Sequence, residues 1–409
     1  MKKQREYPVI TVTRKAQAAL EGGHPWVYDE ELLSNTEGIP NGSLVDVVSD
    51  KEKYLGTGFL SEKSKIRIRL ISRNANDSFD EAFFERRFRY AWDYRKTVMA
   101  EDINACRVIF GEADGFPGLT VDRYGETLVT QTLSYGIEIR KAMLFPLIYK
   151  VLTADGQRIS GIYERNDVAI RELEGLSQNK GWFPLENVPQ PACPVTVIHE
   201  NGIEYEVDVE NGQKTGFFLD QKYNRLAVSR LSKGKRVLDC FTHTGSFALN
   251  AALGGAEYVC ATDVSESAIE MARKNAVRNG LDGKMKFITA DVLDLLPQLE
   301  REGEKPYDFI ILDPPAFTKS RKTIDAALRG YKEINYRAMK LLPRGGYLAT
   351  CSCSHFITDE LFRKMLKAAA RDAAVELRQI EARQQAPDHP ILWNVPETDY
   401  LKFYIFQIV

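Results

Sequence analysis

Two cysteines and three acids occupy positions where chemistry would need them. Cys351 and Cys353 lie in Ala349-Thr350-Cys351-Ser352-Cys353-Ser354-His355, at the end of a run of strand-forming residues. Three more such runs end on acids: YVCATDV at Asp263, MKFITADV at Asp291, and YDFIILDPP at Asp313, which opens Asp313-Pro314-Pro315-Ala316-Phe317. The run RVLDC passes instead into Phe241-Thr242-His243-Thr244-Gly245-Ser246-Phe247, a turn with a single glycine. A dinucleotide pyrophosphate needs close backbone approach at several glycines, so a nicotinamide cofactor matches this turn poorly. A carboxylate at the end of the second strand suits the two hydroxyls of a ribose, which fits Asp263. Asp291 is suited to an adenine amino group. Taken one at a time, these acids could equally be helix N-caps; three consecutive strands that end this way are a more specific pattern. A cysteine thiolate is a nucleophile for covalent catalysis. A buried structural thiol and a metal ligand are the other uses of a C-x-C pair, and no second Cys/His pair sits at metal-binding spacing.

Those positions presuppose a sheet. After the hairpin VTVIHENGIEYEVDV, which turns at Asn201-Gly202, apolar strand and helix patterns alternate through YLATCSC. Such alternation predicts an α/β fold, a parallel sheet with helices on both faces, and ligands outside the carboxyl ends of its strands. Ahead of it, VITVT, SLVDVVS, YLGTGFL and KIRIRLI read as short strands of a small β-barrel, with EGGHPWVYDEEL as a turn. Between the two lies a mixed segment. FDEAFFERRFRYAWDYRKTVM is an amphipathic helix, GLTVDRYGETLVTQTL a hairpin, IEIRKAMLFPLIYKVL a helix, GIYER a buried strand and PLENVPQPACP an irregular loop. The expected domains are residues 1–73, 74–190 and 191–409.

The 409 residues carry 55 Lys+Arg against 57 Asp+Glu, a formal charge of -2. That excludes a uniformly basic protein that coats nucleic acid by charge alone, while leaving room for local basic patches. With 44% hydrophobic and 27% charged residues the chain has core material to spare, so disorder is excluded as its main state. No apolar run approaches the roughly 20 residues of a membrane span, and the N-terminus lacks an apolar signal core. Six scattered cysteines point to reduced thiols and a cytoplasmic location.

The pattern of strand ends resembles class I S-adenosylmethionine-dependent methyltransferases, and D-P-P-x-F resembles the motif of enzymes that methylate planar nitrogens or bases. More specifically, the chain resembles the ribosomal RNA large subunit methyltransferase I family. The resemblance rests on Gly212–Arg225 (GQKTGFFLDQKYNR), Val237–Ala252, Leu312–Phe317 and Cys351–His355, with Gly111–Gly125 and Tyr163–Asp167 in support. It covers nearly the whole chain, and TGFFLDQ is its most distinctive string. It implies an N-terminal PUA domain, a central α+β domain and a Rossmann-like methyltransferase domain. It implies S-adenosylmethionine as methyl donor, held by Phe241, Thr242, Gly245 and Ser246, with Asp263 at the ribose, Asp291 and Val292 at the adenine and Asp313 below the sulfonium. Phe217 and Gln221 would close that pocket from the other side. It also implies 5-methylcytosine in 23S ribosomal RNA as product, and the cysteine of an S-C-S triplet, Cys353, as nucleophile; Cys351 is a second thiol nearby.

The implied chemistry has a physical reason. Carbon 5 of a pyrimidine is a poor nucleophile until a thiolate adds to carbon 6. Asp313 would then stabilise charge at the ring nitrogen 3 and amino edge. His355 is near enough in sequence to be the base that removes the carbon 5 proton, and a structural histidine is the other account of it. The expected partner is RNA, with no membrane; a homodimer stays open. Three cationic clusters are candidates for its phosphates: Arg67, Arg69 and Arg73; Arg86, Arg87 and Arg89; and Lys319, Arg321 and Lys322. The alternatives are guanine methylation on the same scaffold, which needs no cysteine, a nicotinamide-dependent oxidoreductase, and an inactive RNA-binding module.

Overall fold

The computed structural model describes residues 5–303, 305–318 and 320–409. The chain forms two compact units. One comprises the chain up to Ile198 with Val207–Leu219 and Pro387–Thr398; the other comprises His199–Glu206, Asp220–Ala386 and Asp399–Val409.

The first unit begins with β1 (Val9–Thr11), β2 (Trp26–Tyr28), β3 (Leu44–Val48), β4 (Tyr54–Leu60) and β5 (Ile66–Ser72). They form a five-stranded sheet in the order β1-β3-β4-β5-β2. Only β1 and β3 run parallel. Alternation in β5 sends Ile68 and Leu70 into a core with Val27, Val45 and Val47. Gly58 permits the closest strand approach, since a Cβ there would lie 2.4 Å from the carbonyl oxygen of Arg69. Two elements differ from the sequence reading. Trp26–Tyr28 is a strand and not part of a turn, and Arg14–Glu21 is a helix capped by the Thr13 side chain. Its short apolar stripe, Ala16 and Leu20, is complete only against the sheet.

A second sheet follows, built from β6 (Ala105–Phe110), β7 (Leu119–Tyr124), β8 (Thr127–Thr132), β9 (Gly161–Arg165) and β10 (Lys180–Phe183) in the order β10-β9-β8-β7-β6. The helix Lys141–Ala154 is the crossover that lets β8 and β9 pair in parallel. The helix Glu81–Met99, capped by Asp80, buries Phe83, Phe84, Phe88 and Trp92. The hairpin of β11 (Val195–Glu200) and β12 (Ile203–Asp208) turns at Asn201 and Gly202, both with positive φ (53° and 79°), as the Asn-Gly pair predicts.

The second unit carries β13 (Arg236–Cys240), β14 (Tyr258–Asp263), β15 (Met285–Thr289), β16 (Phe309–Leu312), β17 (Tyr347–Ser352), β18 (Leu377–Arg383) and β19 (Lys402–Ile408). Their order is β15-β14-β13-β16-β17-β19-β18. The first five are parallel, and β19 inserts antiparallel between β17 and β18. The chain switches direction across the sheet between β13 and β16, which opens a crevice at their carboxyl ends. Helices Ile324–Leu341 and Asp359–Ala373 pack into the same apolar core as β16 and β17. No helix among the described residues is long and apolar enough to cross a membrane.

Candidate active site

The carboxyl end of β13 is a strained turn. Phe241 and His243 adopt left-handed backbone angles (φ 66° and 51°), as does Gly245 (φ 87°). Such angles cost a non-glycine residue roughly 1–3 kcal/mol and persist only when neighbours enforce them. Here Thr242 N–H donates to the Thr262 carbonyl at 2.8 Å. Its hydroxyl donates to Asp239 Oδ2 at 2.6 Å. His243 N–H donates to Asp263 Oδ2 at 2.9 Å, and Ser265 N–H to Asp263 Oδ1 at 2.9 Å. Asp263 therefore clamps the turn to the start of the helix Glu266–Arg278. Gly245 is required for packing, because a Cβ would sit 3.0 Å from Ala272 Cβ. Ser246 begins the helix Ser246–Leu253, and Phe241 packs partly buried against the core of the sheet.

Sequence reasoning overlooked Asp239. It is fully buried in β13, and burial together with the nearby Asp313 and Asp263 carboxylates pushes its pKa up to about 8. Its Oδ1 and the neighbouring Thr244 Oγ1 are buried without hydrogen-bond partners. Buried polar atoms in this condition at a strained turn suit a polar ligand.

Asp291 caps the helix Val292–Glu302, accepting from Leu293 N–H at 2.8 Å, and stays exposed beside the buried Val292. The structural use of that acid is thus realised, with one oxygen committed. Asp313 lies deeper. Its Oδ1 accepts from Gln221 Nε2 at 3.1 Å and from the Cys351 thiol at 2.9 Å. Gln221 is oriented by Asn224, whose Nδ2 donates to Gln221 Oε1 at 2.6 Å. The fold therefore joins Gln221, Asp313 and Cys351, which lie far apart in sequence. Phe217 belongs to the other unit, where its backbone N–H and carbonyl both bond the Tyr124 hydroxyl (3.2 and 2.8 Å).

The two thiols differ sharply. Cys351 is buried, and its thiol also reaches the Leu312 carbonyl at 3.3 Å. Burial, then the Asp313 carboxylate, push its pKa well up. Cys353 is only partly buried. Its flanking serines are fixed by the Tyr331 hydroxyl, 3.0 Å from both Ser352 Oγ and Ser354 Oγ. The Tyr331 ring packs on Phe317 of the D-P-P-x-F loop, centroids 4.6 Å apart, and a Cβ on Gly330 would lie 3.1 Å from the same ring. One side of Phe317 is therefore taken by protein. Lys402, on β19 opposite Ser352, is a second residue that sequence reasoning missed. Lys402 is 6% exposed, and its ammonium donates to the carbonyls of Ser354 and Tyr400, each at 2.8 Å. Burial lowers its pKa to about 8, and electrostatic attraction to Cys353 opposes that fall. His355 is exposed.

The cationic clusters divide. Arg69 is an internal ion-pair partner of Glu174 (2.8 Å), and Arg67 pairs with Asp29 (3.0 Å), so neither is the free phosphate contact expected from sequence. Arg73 is exposed. Arg89 pairs with Glu85 at 2.6 Å, while Arg86 and Arg87 line a cavity. Arg321 and Lys322 are exposed on a 3₁₀ turn; Lys319 lies outside the described residues.

Comparison with known proteins gives matches along the whole chain. A family model for S-adenosylmethionine-dependent methyltransferases matches residues 189–406, and one for PUA-like domains matches residues 10–73. The chain is 40% identical over 407 residues to a ribosomal RNA large subunit methyltransferase I from Salmonella enteritidis PT4, covering 99% of this chain and 98% of the relative. It is 38% identical over 405 residues to a protein of the same name from Klebsiella pneumoniae strain 342, covering 98% and 99%. Among solved structures, a chain from Streptococcus mutans described as a SAM-dependent methyltransferase aligns with a TM-score of 0.82 at 23% identity, over 98% of this chain and 100% of that one. A methyltransferase structure complexed with SAH aligns at 0.83 with the same identity and coverage. At that identity, the two structural likenesses carry the fold.

Proposed function

This chain belongs to the ribosomal RNA large subunit methyltransferase I family, with a PUA-like domain ahead of an S-adenosylmethionine-dependent methyltransferase domain, and we propose that it methylates carbon 5 of a cytosine in 23S ribosomal RNA. The observation that carries this reading is the contrast between two thiols at the end of β17. Cys351 is buried and committed to Asp313, whereas Cys353 is accessible beside a buried ammonium. A nitrogen methyltransferase has no use for such a thiol.

The residues at the head of the sheet fit S-adenosylmethionine. Asp239 Oδ1 and Thr244 Oγ1 lack partners, and Asp263 keeps lone pairs after accepting its two backbone N–H groups. Asp263 is assigned to the ribose, Asp291 and Val292 to the adenine, and Phe241, Thr242, Gly245 and Ser246 to the adjoining wall. Gln221 is assigned to the opposite side. When bound, S-adenosylmethionine supplies an electrophilic methyl group.

The chain's own residues do the rest. The cytosine is extruded from its stack, since its reactive atoms are inaccessible within one. Cys353 adds as thiolate to carbon 6, which makes carbon 5 nucleophilic. Asp313 in its protonated form donates to the ring nitrogen 3, where negative charge develops, and accepts from the amino group, while the Gln221 amide holds Asp313 in place. Loss of the carbon 5 proton to a base then releases the thiol. Residues 1–73 and 74–190 are assigned to RNA docking and residues 191–409 to transfer. Arg321 and Lys322, just beyond the D-P-P-x-F loop, are assigned to phosphates that flank the flipped base. Nucleoside mass spectrometry of 23S RNA from cells with and without the protein is the test. An unchanged 5-methylcytosine content would overturn the proposed product.

A further inference from the structure

We infer that one face of the helix Glu81–Met99, with Arg86, Arg87, Tyr90 and Tyr94, is a binding site for single-stranded RNA outside the methyl-transfer pocket. The inference rests on the RNA-substrate reading and adds a second point of contact to it.

These residues recur at helical spacing, so they share one face. They line a cavity of about 590 Å³. The face is unusual for a solvated helix. Tyr90 is 65% exposed and Tyr94 38% exposed, an aromatic pair one turn apart. Arg87 lies 4.5 Å above the Phe83 ring and donates Nη1 to the Gly115 carbonyl at 2.9 Å. No carboxylate pairs with it among the described residues, so most of its five N–H donors are available to an anion. Burial holds its pKa below the usual arginine range, and the neighbouring Arg86 adds to that while Asp77 opposes it.

The two acids on the wall leave a net positive charge. Asp114 is committed to the buried Arg95 (Oδ2 to Nη2, 2.8 Å) and to the Phe110 N–H. Asp77 accepts from the Ser72 hydroxyl at 2.6 Å and from Asn74 Nδ2 at 3.2 Å and forms an ion pair with Arg86 at 3.9 Å, so it offsets one of the two guanidinium charges and leaves the other. The segment Pro387–Thr398 of the same unit docks on this helix, with the Pro387 carbonyl accepting from the Tyr94 hydroxyl at 2.9 Å. That segment carries Trp393, 97% exposed. Its loop is not slack: the Thr398 hydroxyl accepts from Leu392 N–H at 2.9 Å and donates to the Val395 carbonyl at 2.7 Å. A rigid loop that presents a bare indole is a ready stacking surface.

Guanidinium groups for phosphates and exposed rings for unpaired bases are the joint requirement of single-stranded nucleic acid. A phosphorylated peptide would use the arginines and leave the rings idle. A duplex hides the π-faces of its bases.

The test uses the full-length protein, a fluorescent single-stranded oligoribonucleotide of about 12 nucleotides and its duplex, read by anisotropy. Calorimetric binding of S-adenosylmethionine controls for folding. Arg86→Ala with Tyr90→Ala should weaken the single strand about tenfold or more and lower the salt slope by about one. Tyr90→Phe, which keeps the ring, should bind like wild type. Wild-type affinity in the double variant, duplex bound as tightly as single strand, or competition by a phosphopeptide would each overturn it. If binding is lost as expected while the protein makes no 5-methylcytosine, the catalytic reading fails and this one survives.

Discussion

Lys402 Nζ lies 2.8 Å from the carbonyl oxygen of Ser354, the residue after Cys353. A buried ammonium is costly even when it donates to two carbonyls, and burial lowers its pKa from 10.5 to about 8. The unfolded chain therefore binds more protons than the folded one between pH 8 and 10.5, and stability rises with pH across that window. Chemical denaturation of wild type and Lys402→Met across that range should show wild type gaining on the order of 2–3 kcal/mol relative to the variant. The offset at neutral pH is a separate matter, because the variant leaves two carbonyls without a donor. A difference that does not change with pH would refute this protonation assignment.

The Lys402 ammonium and Cys353 attract each other electrostatically, whereas burial, then the Asp313 carboxylate, disfavour the thiolate of Cys351. Iodoacetamide at pH 7.5 should therefore alkylate Cys353 in the native protein, along with the exposed Cys193, and spare Cys351. Cys353→Ala should reduce methyl transfer by roughly a hundredfold or more. Cys351→Ala should stay within about tenfold of wild type, since Gln221 still donates to Asp313 when the thiol is removed. Peptide mapping and a methyl-transfer assay read both. Full activity in Cys353→Ala would remove the covalent mechanism.

The parallel strands were legible because each is an apolar run that ends at a polar turn, and a parallel sheet buries both of its faces. Asp263, Asp291 and Asp313 could be located from that alone. What could not be read depends on pairings distant in sequence. Gln221 meets Asp313 across 92 positions, and Asn224, which orients it, reads as one more polar residue on a helix. Lys402 opens the strand KFYIFQI, a signal present in the sequence; its importance comes only from the register that sets it opposite Ser352. Arg69 shows the converse failure. In the alternating run IRIRLI it looks like an outward cation, yet it is 8% exposed and paired with Glu174 from a distant segment. Asp239 lies inside the apolar strand RVLDC, where an acid gives no sign of which way it faces.

Asp239 makes the opposite pH prediction to Lys402. Burial raises its pKa from 3.8 to about 8, so the folded chain binds more protons than the unfolded chain across that interval. The stability contributed by the neutral acid is complete below about pH 4 and is lost as pH rises through 8. Asp239→Asn is permanently neutral and keeps an acceptor for the Thr242 hydroxyl. Thermal unfolding at pH 5 and pH 8.5 should show wild type losing a few kcal/mol relative to this variant. Parallel curves would mean that Asp239 is ionised throughout.

Asp263 has two separable jobs, and a pairing of variant with ligand can divide them. Its carboxylate receives the backbone N–H groups of His243 and Ser265, which fixes the turn, and it is assigned to the ribose hydroxyls. Asp263→Ala loses both jobs, so its affinity for S-adenosylmethionine should fall by about a hundredfold, and that number alone says nothing about contact. A 2′-deoxyribose analogue supplies the second arm. Wild type should bind the analogue about tenfold more weakly than S-adenosylmethionine, the worth of roughly one charged hydrogen bond. In Asp263→Ala that discrimination should vanish, because the partner of the missing hydroxyl is gone. Calorimetry on the four combinations gives the coupling directly. A variant that still prefers the ribose tenfold would show that Asp263 shapes the turn without touching the sugar.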